Sequence, residues 1–478
     1  MTLVRGVVTA AVAACCGASA VPAQGLSGYW SGRMVHDAAG VAVSFAFRSD
    51  APGAWLGRFT SLTQRALEYP LDTVVVTGPL VHLVLGSGST VFDGSLRGDS
   101  ITGVLRDAEA GEGTFALHRA VAPSYPYRRE DVTVANGAVR VAGSLYVPGG
   151  RARHAAVVIL QGAGPETRWG TARYLADRFA RAGVAALITD KRGTGASSGD
   201  WRRASFADLA DDALASVRLL ARRRDIDPGE IGLFGPSQGA MVAPLATARA
   251  RAGEIAFIVA GAPLGDSVYK QDLWRVGRIM REAQASGMHT AEEVARAMSL
   301  YRRFVDVARS GGQGSDAFQR ASDSVAEQHW FRMLEIPPPG HWVWAWYEAV
   351  GNFDPAPFWE LVRVPALLLY GDREEIVPVA ENLAGVEHAL DRGGNTRYAA
   401  VLIPHARHNW TIHPEPGEPF FWWHQSPGID DLVVAWVLRQ TGPGDRHGAG
   451  APLRAALTGA HLPLRGAGSV AVLASFLR

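Results

Sequence analysis

Hydrophobic and polar positions along the chain follow two periods, and the change between them divides it. From about 25 to 120 the apolar residues alternate with polar ones, as in Val41, Val43, Phe45 and Phe47, or Val81, Leu83 and Leu85. Gly, Asp, Ser and Pro separate these short runs. Period-two runs with such breaks predict antiparallel hairpins, and their even spacing predicts a small all-β sandwich or barrel. A linker with two prolines, Pro123 and Pro126, follows. Two further strands, 130–134 and 139–148, lead into a different pattern. Near-continuous apolar runs at 155–160, 185–189, 231–234 and 255–260 now alternate with segments of helical spacing. One helix is predicted over about 170–182. Another lies within 204–224, where Phe206, Leu209, Ala213, Val217 and Leu220 share a face. Continuous apolar strands between helices predict a mostly parallel sheet covered on both sides.

From about 264 to 358 the alternation stops. Amphipathic helices rich in Trp and Tyr replace it, including Trp330, Trp342, Trp344, Trp346 and Tyr347. Apolar strands return at 364–370 and 398–404, and a helix ends near Arg439. The insertion reads as a helical cap whose aromatics mostly form its own core. The tail, 441–478, has no period that assigns it to an element.

The chemistry sits where strands end. The strand 231–234 runs into Gly235-Pro236-Ser237-Gln238-Gly239, and helical spacing follows. Strand, G-x-S-x-G, helix is a nucleophile elbow, which lifts the Ser hydroxyl clear at the end of a sheet. The strand at 364–370 runs into Gly371-Asp372-Arg373-Glu374-Glu375, and the strand at 398–404 into His405-Ala406-Arg407-His408. Ser, acid, His is the order expected after such an elbow. Ser237 is the expected nucleophile and His408 the base, with His405 its local rival. Asp372, Glu374 and Glu375 are all candidates for the acid; counting forward from Gly371 and back from Val377 both favour Glu374, with Asp372 the runner-up. Oxyanion donors are expected from the backbone N–H of Gln238 and from the loop Gln161-Gly162-Ala163-Gly164, with Ala163 favoured and Gly162 second. Removing one such donor typically costs ~3–4 kcal/mol of transition-state stabilisation.

Composition narrows the alternatives. The 478 residues are 47% hydrophobic and 19% charged with a formal net charge of +1, so a large core is expected and a nucleic-acid footprint is not. The turn Asp190-Lys191-Arg192-Gly193-Thr194-Gly195 lacks the G-x-x-x-x-G-K-[ST] order of a phosphate loop. It reads as a structural turn near the site. No His spacing suggests a metal site, and no cofactor or metal is expected. The two cysteines, Cys15 and Cys16, lie in a start of basic, short apolar and small-residue segments. That pattern predicts a secretory leader over 1–23, with a lipoprotein anchored at Cys15 the second reading. The body is therefore expected to be exported, cysteine-free and without a membrane span. Oligomeric state is open.

Together these motifs resemble the α/β-hydrolase superfamily, and more narrowly the bacterial serine carboxylesterases of the EstD-like type. The resemblance covers roughly 128–440. It rests on Leu145-Tyr146-Val147-Pro148, the 161–165 loop with Arg168, the 190–195 turn, Asp225-Ile226-Asp227-Pro228 and the Ser237, Glu374 and His408 regions. It implies an α/β-hydrolase domain with a helical cap after a small all-β domain at 25–120. It also implies metal-free hydrolysis of short acyl esters, with a small-molecule ester as the partner. Pro236 stands where His is more usual, Ala240 where Gly is frequent, and Glu374 where Asp is common. An exopeptidase using the same three residues is the second enzymatic reading, with Glu335 and Glu348 as candidates to hold an amine. A binding protein on a hydrolase scaffold is the non-enzymatic one.

Overall fold

The computed structural model describes residues 25–51, 53–150, 153–441 and 469–472. The predicted leader and most of the tail lie outside them. The first nine strands form one antiparallel sheet in the order Ala66–Pro70, Ala54–Ser61, Ala39–Ala51, Gly28–His36, Gly111–Ala120, Ser100–Asp107, Thr90–Arg97, Leu80–Leu85, Thr73–Thr77. Every neighbour is a hairpin partner except one. Gly28–His36 pairs with Gly111–Ala120, bringing the start of the region against its end. The sheet curls into a half-barrel because its alternating apolar face must turn inward. Trp30, Phe45, Leu83, Phe92 and Leu117 are all fully buried there, and Phe92 sits edge-on to both Phe45 and Phe115.

The second sheet runs Tyr127–Asn136, Val139–Pro148, Ala185–Thr189, His154–Ile159, Ile226–Pro236, Ile258–Gly261, Ala366–Gly371, Tyr398–Ile403, Ser469–Val472. Its first two strands form a hairpin, and the second meets Ala185–Thr189 antiparallel. All later pairings are parallel. This is an α/β-hydrolase architecture. The tail, which showed no period, contributes the edge strand Ser469–Val472.

Helices cover both faces. Phe206–Ala221 begins with a capping box between Ser205 and Asp208 and buries Phe206, Leu209, Ala213, Val217 and Leu220, the predicted stripe. Thr171–Arg181 and Ile429–Thr441 close the other face, where Phe179, Phe234, Phe257 and Trp436 pack. Between the strands Ile258–Gly261 and Ala366–Gly371 the chain makes helices instead: Val268–Ala285, Ala291–Arg309, Ser315–Asp323, His329–Arg332, Trp342–Val350 and Ala356–Trp359. Their apolar core includes Met280, Phe304, Phe318, Trp330 and Tyr347. A buried carboxylate, Asp272, accepts from Tyr301 Oη at 2.6 Å and from Tyr347 Oη, and it pairs with Arg275.

The half-barrel docks on the hydrolase domain through buried charge. Arg173, 2% exposed, donates to Glu68 Oε2 at 2.9 Å, and Arg65, 4% exposed, to Asp430 Oδ1 at 2.8 Å. Trp422 Nε1 reaches the carbonyl of Ala39, and Gln425 N that of Thr63. Arg65 also lies over the ring of Trp410, two residues beyond His408.

Candidate active site

Ser237 stands between the strand Ile226–Pro236 and the helix Gln238–Arg249 with φ 51° and ψ −118°. A side chain there occupies a left-handed region that costs of order 1–3 kcal/mol. The surroundings hold it. Ser237 N donates to Gly261 O at 2.8 Å, and Ala240 N to Ser237 O at 2.8 Å. Glycines in the elbow and at the end of the neighbouring strand give it space. A Cβ on Gly235 would come within 2.2 Å of Gly239 O, and one on Gly261 within 2.4 Å of the Trp410 ring. Trp410, itself at φ 60°, wedges under the elbow and meets Phe234 edge-on.

The loops after two neighbouring strands bring the other groups in. His408 Nε2 lies 3.0 Å from Ser237 Oγ. His408 Nδ1 lies 2.8 Å from Glu374 Oε1. An ionised carboxylate only accepts, so Nδ1 carries the proton there and Nε2 faces the hydroxyl with its lone pair. The Glu374 side chain is fully buried and the His408 side chain 12% exposed. Ile376 N donates to Glu374 Oε1, and His408 N to Glu375 Oε2 at 3.1 Å, so backbone bonds hold both loops. The two rivals lie elsewhere. Asp372 is exposed and uses its N–H on Ile403 O. His405 is exposed, with Arg373 at its Nδ1. Glu375, the third acid candidate of the sequence, holds the His408 backbone instead of its imidazole.

Gln238 opens its helix, so its N–H has no intrahelical acceptor. On the facing loop the Gly162 N–H already donates to Glu166 Oε2 at 2.8 Å. Gly162 therefore cannot be the donor, because its hydrogen is engaged by a carboxylate four residues on. Ala163 is left as the loop's candidate. The 190–195 turn braces the same loop: Lys191 N and Thr194 Oγ1 both donate to Glu166 O, at 3.1 and 2.7 Å. The side chain of Lys191 also reaches it. The cap is tied to the acid loop, since Gln271 Nε2 donates to Ile376 O and Arg278 Nε to Glu375 O.

Among the described residues no group of three or more His, Cys, Asp or Glu is placed to hold a metal ion, and no helix is long and apolar enough to cross a membrane.

The family described as serine aminopeptidase, S33, matches residues 151–415, over half of the chain. The chain belongs to this family of hydrolases. The match spans the 161–164 loop, the elbow, the helical insertion and both loops that carry Glu374 and His408. Comparison with curated proteins gives no match. Among solved structures the chain is similar to the esterase PF2001 of Pyrococcus furiosus, at 19% identity and TM-score 0.42 over 68% of this chain and 97% of that one. It is also similar to a dienelactone hydrolase from Anabaena variabilis ATCC 29413, at 17% identity and TM-score 0.37 over 66% and 99%. A third is the α/β hydrolase GrgF from Penicillium sp. sh18, at 18% identity and TM-score 0.39 over 59% and 91%.

Proposed function

We propose that the protein is an exported serine hydrolase of the EstD-like carboxylesterase type that cleaves short acyl esters. One observation carries this: the continuous hydrogen-bonded line from buried Glu374 through His408 to Ser237 Oγ, at 2.8 and 3.0 Å. In that line Glu374 orients the imidazole and stabilises its cation without taking a proton. Ser237 Oγ attacks the ester carbonyl while His408 Nε2 accepts the hydroxyl proton. The oxyanion develops between the N–H groups of Gln238 and Ala163. Collapse breaks the ester C–O bond, and His408 returns its proton to the departing alcohol. Water then attacks the acyl-Ser237 carbonyl with the same base, releasing the acid. Export is supported by the basic, apolar and small-residue succession of 1–23.

The family's description favours a second reading, cleavage of a peptide from its amino end. That chemistry needs a carboxylate to hold the substrate amine. Of the two cap candidates, Glu335 is exposed, and Glu348 is exposed against the cap's own turn at Gly311. Their placement favours the ester. Turnover of acetyl, butyryl and octanoyl nitrophenyl esters against aminoacyl nitroanilides separates the readings. Esters falling off with chain length and inert anilides are expected; anilides hydrolysed at the ester rate would reverse the assignment.

A further inference from the structure

The 190–195 turn has so far been given no part in the reaction, yet it carries a buried cation beside it. Lys191 follows the buried strand Ala185–Thr189 and is 3% exposed. Its ammonium has three hydrogens and finds three acceptors: Gly162 O, Gly164 O at 2.9 Å and Gln238 Oε1 at 2.9 Å. Two acceptors belong to the loop facing the nucleophile. The third belongs to the residue directly after it. One side chain thus joins the two backbone segments that flank Ser237.

The direction of these bonds matters. In a trans peptide the C=O of one residue and the N–H of the next point to opposite edges, and no cis peptide occurs among the described residues. Drawing the Gly162 carbonyl onto Lys191 therefore turns the Ala163 N–H the other way. Glu166 holds the opposite edge of Gly162 through its N–H. Burying an ammonium costs several kcal/mol before compensation, and an apolar side chain would fill the same space without that cost. A cation behind two backbone donors returns it where negative charge develops.

We propose that Lys191 is the positioning residue of the oxyanion hole, holding Gly162, Gly164 and Gln238 in one register so that the Ala163 and Gln238 N–H groups converge on the developing oxyanion. This rests on the serine-hydrolase reading above.

The clamp should also depend on pH. Burial pulls the Lys191 ammonium down to about 8, with the Glu166 carboxylate acting against the fall. Burial in turn raises Glu166, which Lys191 and the Gly162 N–H oppose. The other charges of the turn are occupied in their own pairs, Asp190 with Arg168 and Arg192 with Asp208 and Asp212. A neutral lysine donates two bonds at most, so the hole loosens as pH rises through that value.

The test uses the full chain as wild type, Lys191→Met, Lys191→Arg and Glu166→Gln. Nitrophenyl butyrate gives kcat and KM across the alkaline range, and a trifluoromethyl ketone, which adds to Ser237 Oγ as a tetrahedral adduct, gives Ki. Lys191→Met should lower kcat about 100-fold with KM unchanged, and weaken the ketone by the same factor. Wild-type kcat/KM should fall above pH about 8. Glu166→Gln removes the opposing charge and should move that fall to lower pH, while Lys191→Arg, which stays charged, should abolish it. A folded Lys191→Met variant with wild-type kcat and ketone affinity would overturn the proposal. So would an alkaline limb that Glu166→Gln leaves in place, a readout that stands even if Lys191→Met fails to fold. Failure of the underlying reading looks different, because wild type itself would neither turn over ester nor bind the ketone.

Discussion

Both parts of the chain build a nine-stranded sheet, and both hold a histidine against a carboxylate. In the half-barrel His82 Nδ1 lies 2.7 Å from Asp93 Oδ1, with Arg106 on the other oxygen. In the hydrolase domain His408 Nδ1 lies 2.8 Å from Glu374 Oε1. The distances hardly differ, but the settings do. The His82 and Asp93 side chains are 44% and 38% exposed, those of His408 and Glu374 12% and 0%. Topology produces the contrast. Antiparallel hairpins turn at alternate edges, so His82 and Asp93 face each other across two strands on an open surface. Parallel strands all end at one edge, so the loops carrying Ala163, Lys191, Ser237, Glu374 and His408 converge there. A histidine–carboxylate pair becomes a candidate catalytic pair where the sheet also delivers a nucleophile and excludes water.

Substitutions at the two pairs should have very unequal effects. Ser237→Ala or His408→Ala should cost about 10⁶-fold in kcat with no loss of melting temperature, measured by ester turnover and thermal unfolding. Glu374→Gln should cost about 10⁴-fold, because the imidazole loses its orienting charge; Asp372→Asn, assayed beside it, should match wild type. Glu68→Gln acts on stability instead. It strands the buried Arg173 and should cost about 3 kcal/mol in denaturant unfolding. Burial pushes the Glu68 carboxyl up, but Arg173 and the Tyr125 hydroxyl outweigh it and hold it below its ordinary value. Its contribution is therefore complete above the ordinary carboxylate range and is lost as pH falls through the lowered value. The gap in stability between wild type and Glu68→Gln should close accordingly in acid. The smallest effect belongs to the half-barrel pair: His82→Ala should leave turnover unchanged, and a large loss there would contradict the view that the two sheets differ in kind.

The strand ends were legible because the apolar runs are near-continuous and each stops at a polar or glycine-containing turn. Ser237 and His408 were readable from what precedes them, and the spacing between Gly371 and Val377 singled out Glu374, whose carboxylate the structure brings to His408 while Asp372 faces solvent. What was not legible depends on side chains reaching back or across. Glu166 folds onto Gly162 and engages the N–H of the second-ranked oxyanion donor, a contact that spacing does not reveal. Lys191 reads as one more charge in a polar turn, although its place two residues beyond a buried strand was a usable sign. Arg65 and Asp430 meet across 365 positions, and nothing periodic marks either. The hairpins of the half-barrel were countable, but not the pairing of Gly28–His36 with Gly111–Ala120 that makes them one sheet.

If Ser237, made reactive by His408, is the nucleophile, a fluorophosphonate should mark it, as intact-protein and peptide mass spectrometry can show. One adduct per chain is expected, located on Ser237, absent in Ser237→Ala and strongly slowed in His408→Ala. A folded wild type that takes up no probe, or an adduct that persists unchanged in Ser237→Ala, would contradict it.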